Sequence, residues 1–480
     1  MSKNKLLIII FILAALVRFI GLNHLPPALN RDEATLGYNA YSILKTGRDE
    51  HGQFLPLTFK SIGDYKMPLY IYATIIPVKL FGLNDFSIRF WSALSGVISV
   101  IAVYFISKLL FTNYLLPITA SFLLALNPWA VFYSRIAYEA NLALMLFLLG
   151  LWLLLKKKPL GFIFWLLACL AYSSALIFIP LFLIPIIFKI RPKTIWLILF
   201  ITAFALIFIK LWSVSSQKQN ITIFSDPYLI DTYNRERTLQ YQINPLQTRL
   251  FFNKYVYFGG LIGKNYLKTF SPQFLVLKGD NHPWHQIPGV GNFYFIEIIF
   301  ALVGLIALLK SRHKNKLIFL TWLLLAPLAS AITVDAPHST RSLFLLPVII
   351  ILAALGFSKV KKFIPVIIFL YFLNVAYANY QYLEIYPTKV KASLPVGIKE
   401  QLLDLKAQNY SGQIYLTGIH DSAYLYPLVY LPVEPKTFQR TAVWTLPDTA
   451  GLTHAYRFSH IQIIDDLKDV SDNGVLIKAE

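Results

Sequence analysis

Two adjacent carboxylates, Asp32 and Glu33, stand in the run Asn30-Arg31-Asp32-Glu33-Ala34, just after the first strongly apolar stretch of the chain. Asp and Glu together number 24 among 480 residues. Acids beside a bilayer are costly unless they take a proton, hold a metal or bind a polar ligand. A lysine follows at Lys66, in Tyr65-Lys66-Met67-Pro68-Leu69-Tyr70. A carboxylate at the membrane surface can accept a proton from an acceptor hydroxyl. A lysine at the same level can hold a lipid-linked phosphate as a point charge. Together they would supply a base and a clamp for a leaving group. The structural alternative is a helix start, since either acid is favoured at the positive end of the helix predicted over 34–45.

Three more groups could carry chemistry. Arg135 and Glu139 lie at the outer end of an apolar stretch with i,i+4 spacing. They form either a helix-surface ion pair or a second outer loop that projects an acid toward the same cavity. His338 and Arg341, in Asp335-Ala336-Pro337-His338-Ser339-Thr340-Arg341, sit where a short outer loop enters a span. An arginine there can bind phosphate bidentately or snorkel to the interface. His282 and His285, in Asp280-Asn281-His282-Pro283-Trp284-His285, suit an acceptor or, with an acid nearby, a metal. Pro283 argues against one helix presenting both. Arg18, in the outer part of the first apolar stretch, either snorkels or faces the cavity.

A scaffold that places these residues at one membrane face is legible in the composition. Hydrophobic residues make up 56% of the chain and the mean hydropathy is +0.58. Long apolar stretches recur, which predicts a polytopic α-helical membrane protein. The net charge of +20 does not point to nucleic acid, because of where it falls. Lys3 and Lys5; Lys108; Lys156 to Lys158; Lys189, Arg191 and Lys193; Lys310, Arg312, Lys314 and Lys316; and Lys359, Lys361 and Lys362 fill short loops that contain no acid. The positive-inside rule puts these loops and the N-terminus in the cytoplasm.

Alternating the sides predicts about eleven spans, over 5–22, 87–110, 114–133, 140–155, 159–173, 174–188, 194–212, 293–309, 317–333, 341–357 and 363–380. The run 159–188 is divided at Tyr172-Ser173-Ser174, so that both basic flanks stay inside. Pro68 to Gly82 is read as an outer juxtamembrane helix, because counting it as a crossing would invert everything after it. The C-terminus is then outside, and the outer segments 23–86 and 213–292 are large. The tail combines an amphipathic helix, Leu394 to Ala407, with alternating strands such as Gln413 to Leu416. The fold class expected is thus an all-α polytopic membrane protein with a small C-terminal α/β extracytoplasmic domain. Residues 1–383 form the membrane domain and 384–480 the small one. The single cysteine, Cys169, allows no disulfide within the chain. Asn220-Ile221-Thr222 and Asn409-Tyr410-Ser411 match a glycosylation tripeptide that is frequent by chance.

The order of features is one span, a loop with Asp32-Glu33, a helix ending at Lys45-Thr46-Gly47, the Lys66-Met67-Pro68-Leu69-Tyr70 element, and Phe81-Gly82-Leu83-Asn84-Asp85-Phe86-Ser87-Ile88-Arg89. This resembles the phospholipid-carrier-dependent glycosyltransferases related to protein O-mannosyltransferases and lipid A aminoarabinose transferase, a family 39-like group with the GT-C fold. The resemblance is strongest over 1–190 and weaker over 260–360, where Gly289 to Gly291 and the His338/Arg341 loop look similar. It implies inverting transfer of a sugar from a polyprenyl-phosphate donor to a lipid, glycan or protein hydroxyl, at the outer face of a prokaryotic plasma membrane. Asp32 matches the first-loop carboxylate proposed as base, and Glu33 its neighbour. Lys66 matches a lysine that holds the donor phosphate; Arg341 and His338 are read, from their own loop, as further phosphate ligands. The aminoarabinose-transferase branch has an acid just before that lysine, and here Tyr65 stands there. The chemistry is coherent with no metal or other cofactor, although a divalent ion has candidate ligands.

Two other functions fit parts of the pattern. A ligase or oligosaccharyltransferase using a diphosphate carrier would need a divalent metal, and no Asp-x-Asp or Asp-x-Glu cluster stands near Glu139. A transporter would carry ionisable residues at mid-membrane and interrupted, paired spans. Here the charges gather at the outer ends of the spans.

Overall fold

Backbone in lipid has no hydrogen-bonding partner but itself, so apolar runs close their own bonds as helices. In the computed structural model each of the eleven runs assigned to a span is helical. The structure describes residues 3–62, 64–215, 221–360, 364–391, 393–417, 422–447, 453–464, 470 and 474–478. Asn220, Lys361 and Lys362 lie outside the described residues.

In chain order the helices are Lys3–Phe19 (α1), Arg31–Thr46 (α2), Pro68–Phe81 (α3), Asp85–Leu110 (α4), Leu115–Leu126 (α5), Pro128–Ser134 (α6), Glu139–Leu155 (α7), Leu160–Ala171 (α8), Ser174–Ile190 (α9) and Thr194–Ser215 (α10). Pro227–Ile243 (α11), Pro245–Phe251 (α12) and Lys254–Thr269 (α13) occupy the segment after α10. Phe295–Lys310 (α14), Lys316–Leu325 (α15), Leu328–Ala331 (α16), Leu345–Phe357 (α17) and Ile364–Tyr380 (α18) follow. The tail holds Tyr386–Val390 (α19), Val396–Ala407 (α20), Leu425–Tyr430 (α21) and Pro435–Thr441 (α22).

Among the described residues three helical stretches are long and apolar enough to cross a bilayer: Asp85–Leu110, Thr194–Leu211 and Pro365–Val390. A fourth arises if α5 and α6, bent by 57° at their junction, make one span. The other apolar helices are shorter, so the count of eleven crossings rests on the charge pattern. The bend has a local cause. Asn127 precedes Pro128, whose ring drives it into extended backbone (φ −59°, ψ 134°). Its side chain then caps α6 by accepting the Ala130 amide at 3.0 Å, and donates to the buried Glu297 at 2.8 Å.

The chain divides into two compact units. One comprises residues 1–11, 98–130 and 143–379. Its core includes α14 against α17, where Gly304 and Gly356 let the two backbones touch: a Cβ on Gly304 would strike the Leu352 carbonyl, and one on Gly356 the Phe300 carbonyl.

The other unit comprises residues 12–97, 131–142 and 380–480. Here Phe59–Ser61 (β1) and Asp64–Lys66 (β2) form an antiparallel hairpin, with Phe59 opposite Lys66. The tail strands Ile414–Thr417 (β3), Val443–Trp444 (β4), Ala455–Phe458 (β5), Ile461–Ile463 (β6) and Val475–Lys478 (β7) form a mixed sheet in the order β4-β5-β6-β3-β7, with β3 parallel to both its neighbours. This is the small α/β element expected from the alternating tail. Within the unit α21 and α22 pack on α2: Tyr38 stacks edge-on against Phe438, and the Tyr430 hydroxyl accepts the Leu29 amide at 3.0 Å.

Candidate active site

The first candidate group is built at the start of α2, in the unit that contains the tail. Asn30 is the N-cap, and its side chain accepts the Glu33 amide at 2.9 Å. Glu33 reaches back to the Asn30 amide at 3.1 Å, completing a capping box. The helix start proposed as the structural alternative is therefore present, and Glu33 rather than Asp32 makes it.

Glu33 does more than cap. Its side chain is buried and accepts from Arg89 at 2.8 Å (Nε to Oε1) and 3.2 Å (Nη2 to Oε2), and from the Ala137 amide at 2.9 Å. Arg89 spends its other N–H groups on the carbonyls of Leu22, Pro26 and Ala28. All five guanidinium donors are thus used, and they fasten the segment 22–33 to the second turn of α4. Asp85, one turn earlier, pairs with Lys399 of the tail at 2.8 Å, and Lys399 also donates to the Pro27 carbonyl.

The opposite side of the same turn exposes Asp32. Its Oδ1 lies 2.8 Å from Lys66 Nζ. The aspartate side chain is 40% exposed and the lysine 9%, so the carboxylate faces outward from a pair whose cation is sunk in the protein. Lys66 ends β2, and the hairpin is docked on α2 by the hydrogen bond between Ser61 and Thr35 at 2.7 Å. The structure thus brings together the two residues assigned as base and phosphate clamp.

Arg135 does not make the surface pair with Glu139 as its principal contact. It donates to the carbonyls of Val17, Ile20 and Leu25 and to the Tyr382 hydroxyl. It thereby satisfies carbonyls at the C-terminal end of α1, which a helix leaves without intrahelical partners. Glu139 opens α7 and is half-buried. Arg18 neither snorkels nor faces open space: it is fully buried, donating to Ser134 at 3.1 Å and to the Ala14 carbonyl.

A second group lies in the other unit. Asp280 Oδ2 is 3.6 Å from Nδ1 of both His285 and His338. His338 Nε2 is 3.6 Å from Asp335 Oδ2, and Arg341 is ion-paired with the same aspartate. Asp280 accepts the Ser339 amide at 2.6 Å and the His282 amide at 3.0 Å. Asn292 steadies the arrangement by accepting from the Ser339 hydroxyl at 3.2 Å. Only glycine fits just before it, because a Cβ on Gly291 would strike the Val276 backbone. Burial pushes the His338 imidazole down, as do the nearby His285 and Arg341, to about 3, so it is neutral at physiological pH. Burial alone would raise Asp280, but the His285 ring and the Ser339 amide outweigh it and keep the carboxylate ionised. His338 and Arg341, expected to bind phosphate, are thus gathered around Asp280 and Asp335. Of the two histidines expected together, His285 joins this group while His282 caps the short turn Pro283–His285.

Sequence reasoning left three features without a role. Arg89 had a signal: a guanidinium one turn inside an apolar helix must be paired. Asp280 and Asp335 had only proximity to histidines in the sequence. The adjacent acids Asp49 and Glu50 repeat the Asp32-Glu33 pattern and are both buried. Burial raises both carboxyls above their ordinary range, and His51 approaches Glu50 at 3.5 Å while stacking on Trp444.

No protein-family model matches this chain, nor does any curated protein match it by sequence. Solved structures do match its fold. ArnT from Cupriavidus metallidurans bound to undecaprenyl phosphate aligns with a TM-score of 0.54 at 13% identity, over 91% of this chain and 88% of that one. The same protein in the apo state aligns at 0.52 with 14% identity, over 90% and 85%. The archaeal oligosaccharyltransferase AglB from Archaeoglobus fulgidus, in complex with an inhibitory peptide and a dolichol-phosphate, aligns at 0.50 with 14% identity, over 88% of this chain and 63% of that one. At such identities what is shared is the fold, the GT-C fold of membrane glycosyltransferases.

Proposed function

We propose that this chain transfers a sugar from a polyprenyl-phosphate donor to an acceptor hydroxyl at the outer face of the plasma membrane, with inversion at the anomeric carbon. The observation that carries the reading is the Asp32–Lys66 pair, an outward-facing carboxylate 2.8 Å from a sunken ammonium. The shared fold with a protein solved with undecaprenyl phosphate supports the lipid-linked donor.

In this reading the arriving donor phosphate takes over Lys66 as its counter-ion and frees Asp32. The acceptor oxygen attacks the anomeric carbon from the face opposite the phosphate. Asp32 takes the hydroxyl proton, the carbon–oxygen bond to phosphate breaks, and the lipid phosphate leaves with the bonding pair, stabilised by the ammonium. Glu33, whose oxygens are already taken by Arg89, Asn30 and Ala137, holds the turn that aims Asp32. The phosphate clamp falls to Lys66, since His338 and Arg341 are engaged with Asp280 and Asp335. Arg135 anchors α1, and Glu139 remains a second-loop candidate for the acceptor side.

A second reading, transfer from a diphosphate carrier, is favoured by one observation, the Asp280, His285 and His338 group that could hold a divalent ion. Loss of transfer on adding EDTA would favour it.

The test is transfer by detergent-purified protein from a panel of polyprenyl-phosphate monosaccharides, comparing wild type with Asp32→Asn. Transfer or slow donor hydrolysis that disappears in Asp32→Asn, with donor still bound, is expected. A fully active Asp32→Asn, or no binding of any donor, overturns the mechanism.

A further inference from the structure

We propose that Asp280, His285 and His338 form a binding site for a divalent d-block cation of the zinc class, with Asp335 and Arg341 as its outer support. The inference does not depend on the sugar-transfer reading.

The spacing comes first. One ligand atom from each of the three residues lies within 4.8 Å of the others, and Asp280 Oδ2 is 3.6 Å from each imidazole Nδ1. That is too long for an ordinary N–H···O hydrogen bond, whose range ends near about 3.2 Å. It is close to the ligand–ligand edge of a tetrahedral zinc site, about 3.3 Å for bonds of about 2.0–2.1 Å. The two Asp280–imidazole edges need to close by only a few tenths of an ångström, and the edge between the two imidazoles, within 4.8 Å, sets the rest of the adjustment.

The tautomer of His338 comes second. Its Nδ1 accepts the Thr340 amide at 3.2 Å, so the lone pair is on Nδ1 and the proton on Nε2. Nε2 faces Asp335 Oδ2 at 3.6 Å, and Arg341 in turn holds Asp335. Nδ1 has a single lone pair, so a cation would bind His338 there by displacing the Thr340 amide, while the other N–H, toward Asp335, has the place that a supporting carboxylate steadies in a metal-ligating histidine.

The third point is preorganisation. Asp280 is gripped through both oxygens, by the Ser339 and His282 amides, and its side chain is 4% exposed. Two imidazoles and one carboxylate suit zinc and its neighbours better than magnesium or calcium, which prefer oxygen alone. Three protein ligands leave a fourth position open to water or an anionic oxygen.

The experiment uses the full-length protein in detergent, stripped with EDTA and titrated with zinc chloride alone against a chromophoric chelator, with bound metal counted by mass spectrometry. Wild type is expected to take one zinc per chain. His285→Ala and His338→Ala should lose it. Asp335→Asn should weaken it by about 10–100-fold, as loss of a supporting carboxylate does, and His282→Ala should bind as wild type. His285 is only partly buried, so that variant should run as a monodisperse peak even if His338→Ala does not. No bound zinc in wild type, or equal affinity in wild type and His285→Ala, overturns the proposal. Because no sugar donor is present, failure of sugar transfer and failure of metal binding are separate results.

Discussion

Arg89 and Glu33 form an ion pair in which neither side chain meets solvent, with Nε 2.8 Å from Oε1. The pair joins the second turn of α4 to the capping box of α2, and so fixes the turn that carries Asp32. Removing one partner of a buried pair leaves an uncompensated charge, at a cost of about 3–5 kcal/mol. Glu33→Gln and Arg89→Met are each expected to lower the melting temperature of the detergent-purified protein sharply. The double variant should recover part of the loss. Melting of either single variant at the wild-type temperature would show that the pair does not hold this turn.

Lys66 is expected to act on the donor rather than on folding. Lys66→Ala removes a charge-assisted contact worth about 1.5–3 kcal/mol, a loss of about 10–150-fold in donor affinity. Lys66→Arg should retain much of it. Donor binding by fluorescence quenching, compared with the melting temperature of each variant, checks the split. Unchanged donor affinity in Lys66→Ala would move the clamp elsewhere.

The loop after α2 carries a pH dependence of definite sign. Burial raises the carboxyls of Asp49 and Glu50 above their ordinary values. The folded chain therefore binds more protons than the unfolded one, and stability falls as pH rises from the ordinary carboxylate range through the raised values. His51 has the same sign: burial lowers it, but Glu50 outweighs that and raises it, so its contribution is complete below its ordinary value and lost as pH climbs through the raised one. Melting temperatures measured across this range should decline with pH. Glu50→Gln should flatten the slope, and an equal slope in the variant would refute the assignment.

Gly304 and Gly356 meet the backbone of the facing helix, so side chains there have no room. Gly304→Val or Gly356→Val forces α14 and α17 apart, and overpacking of this kind costs about 1–3 kcal/mol. Reduced yield of monodisperse protein by fluorescence-detected size exclusion is the expected result. The same substitution at Gly260, where a Cβ meets nothing within 4 Å, should be tolerated.

The helical runs, the amphipathic tail helix and the small α/β tail were legible in the residues. Each follows from local periodicity or from charge placement. An apolar run must be helical in lipid whatever it packs against. A carboxylate pair at a helix start has few things it can be. What required the tertiary structure is every partnership formed across the chain. The acids of the first loop look alike in sequence, yet Asp32 faces outward to Lys66 while Glu33 is consumed by Arg89 and Ala137. His338 and Arg341 have one sequence context compatible with phosphate, and the fold places them beside Asp280 and Asp335. His282 and His285 are near neighbours in sequence, but only one reaches that group. A charged side chain satisfies itself with the nearest complementary group in space. Contacts 56 residues apart, such as Arg89 to Glu33, or 314 apart, such as Lys399 to Asp85, leave no periodic trace in the chain, so only the folded arrangement decides between them.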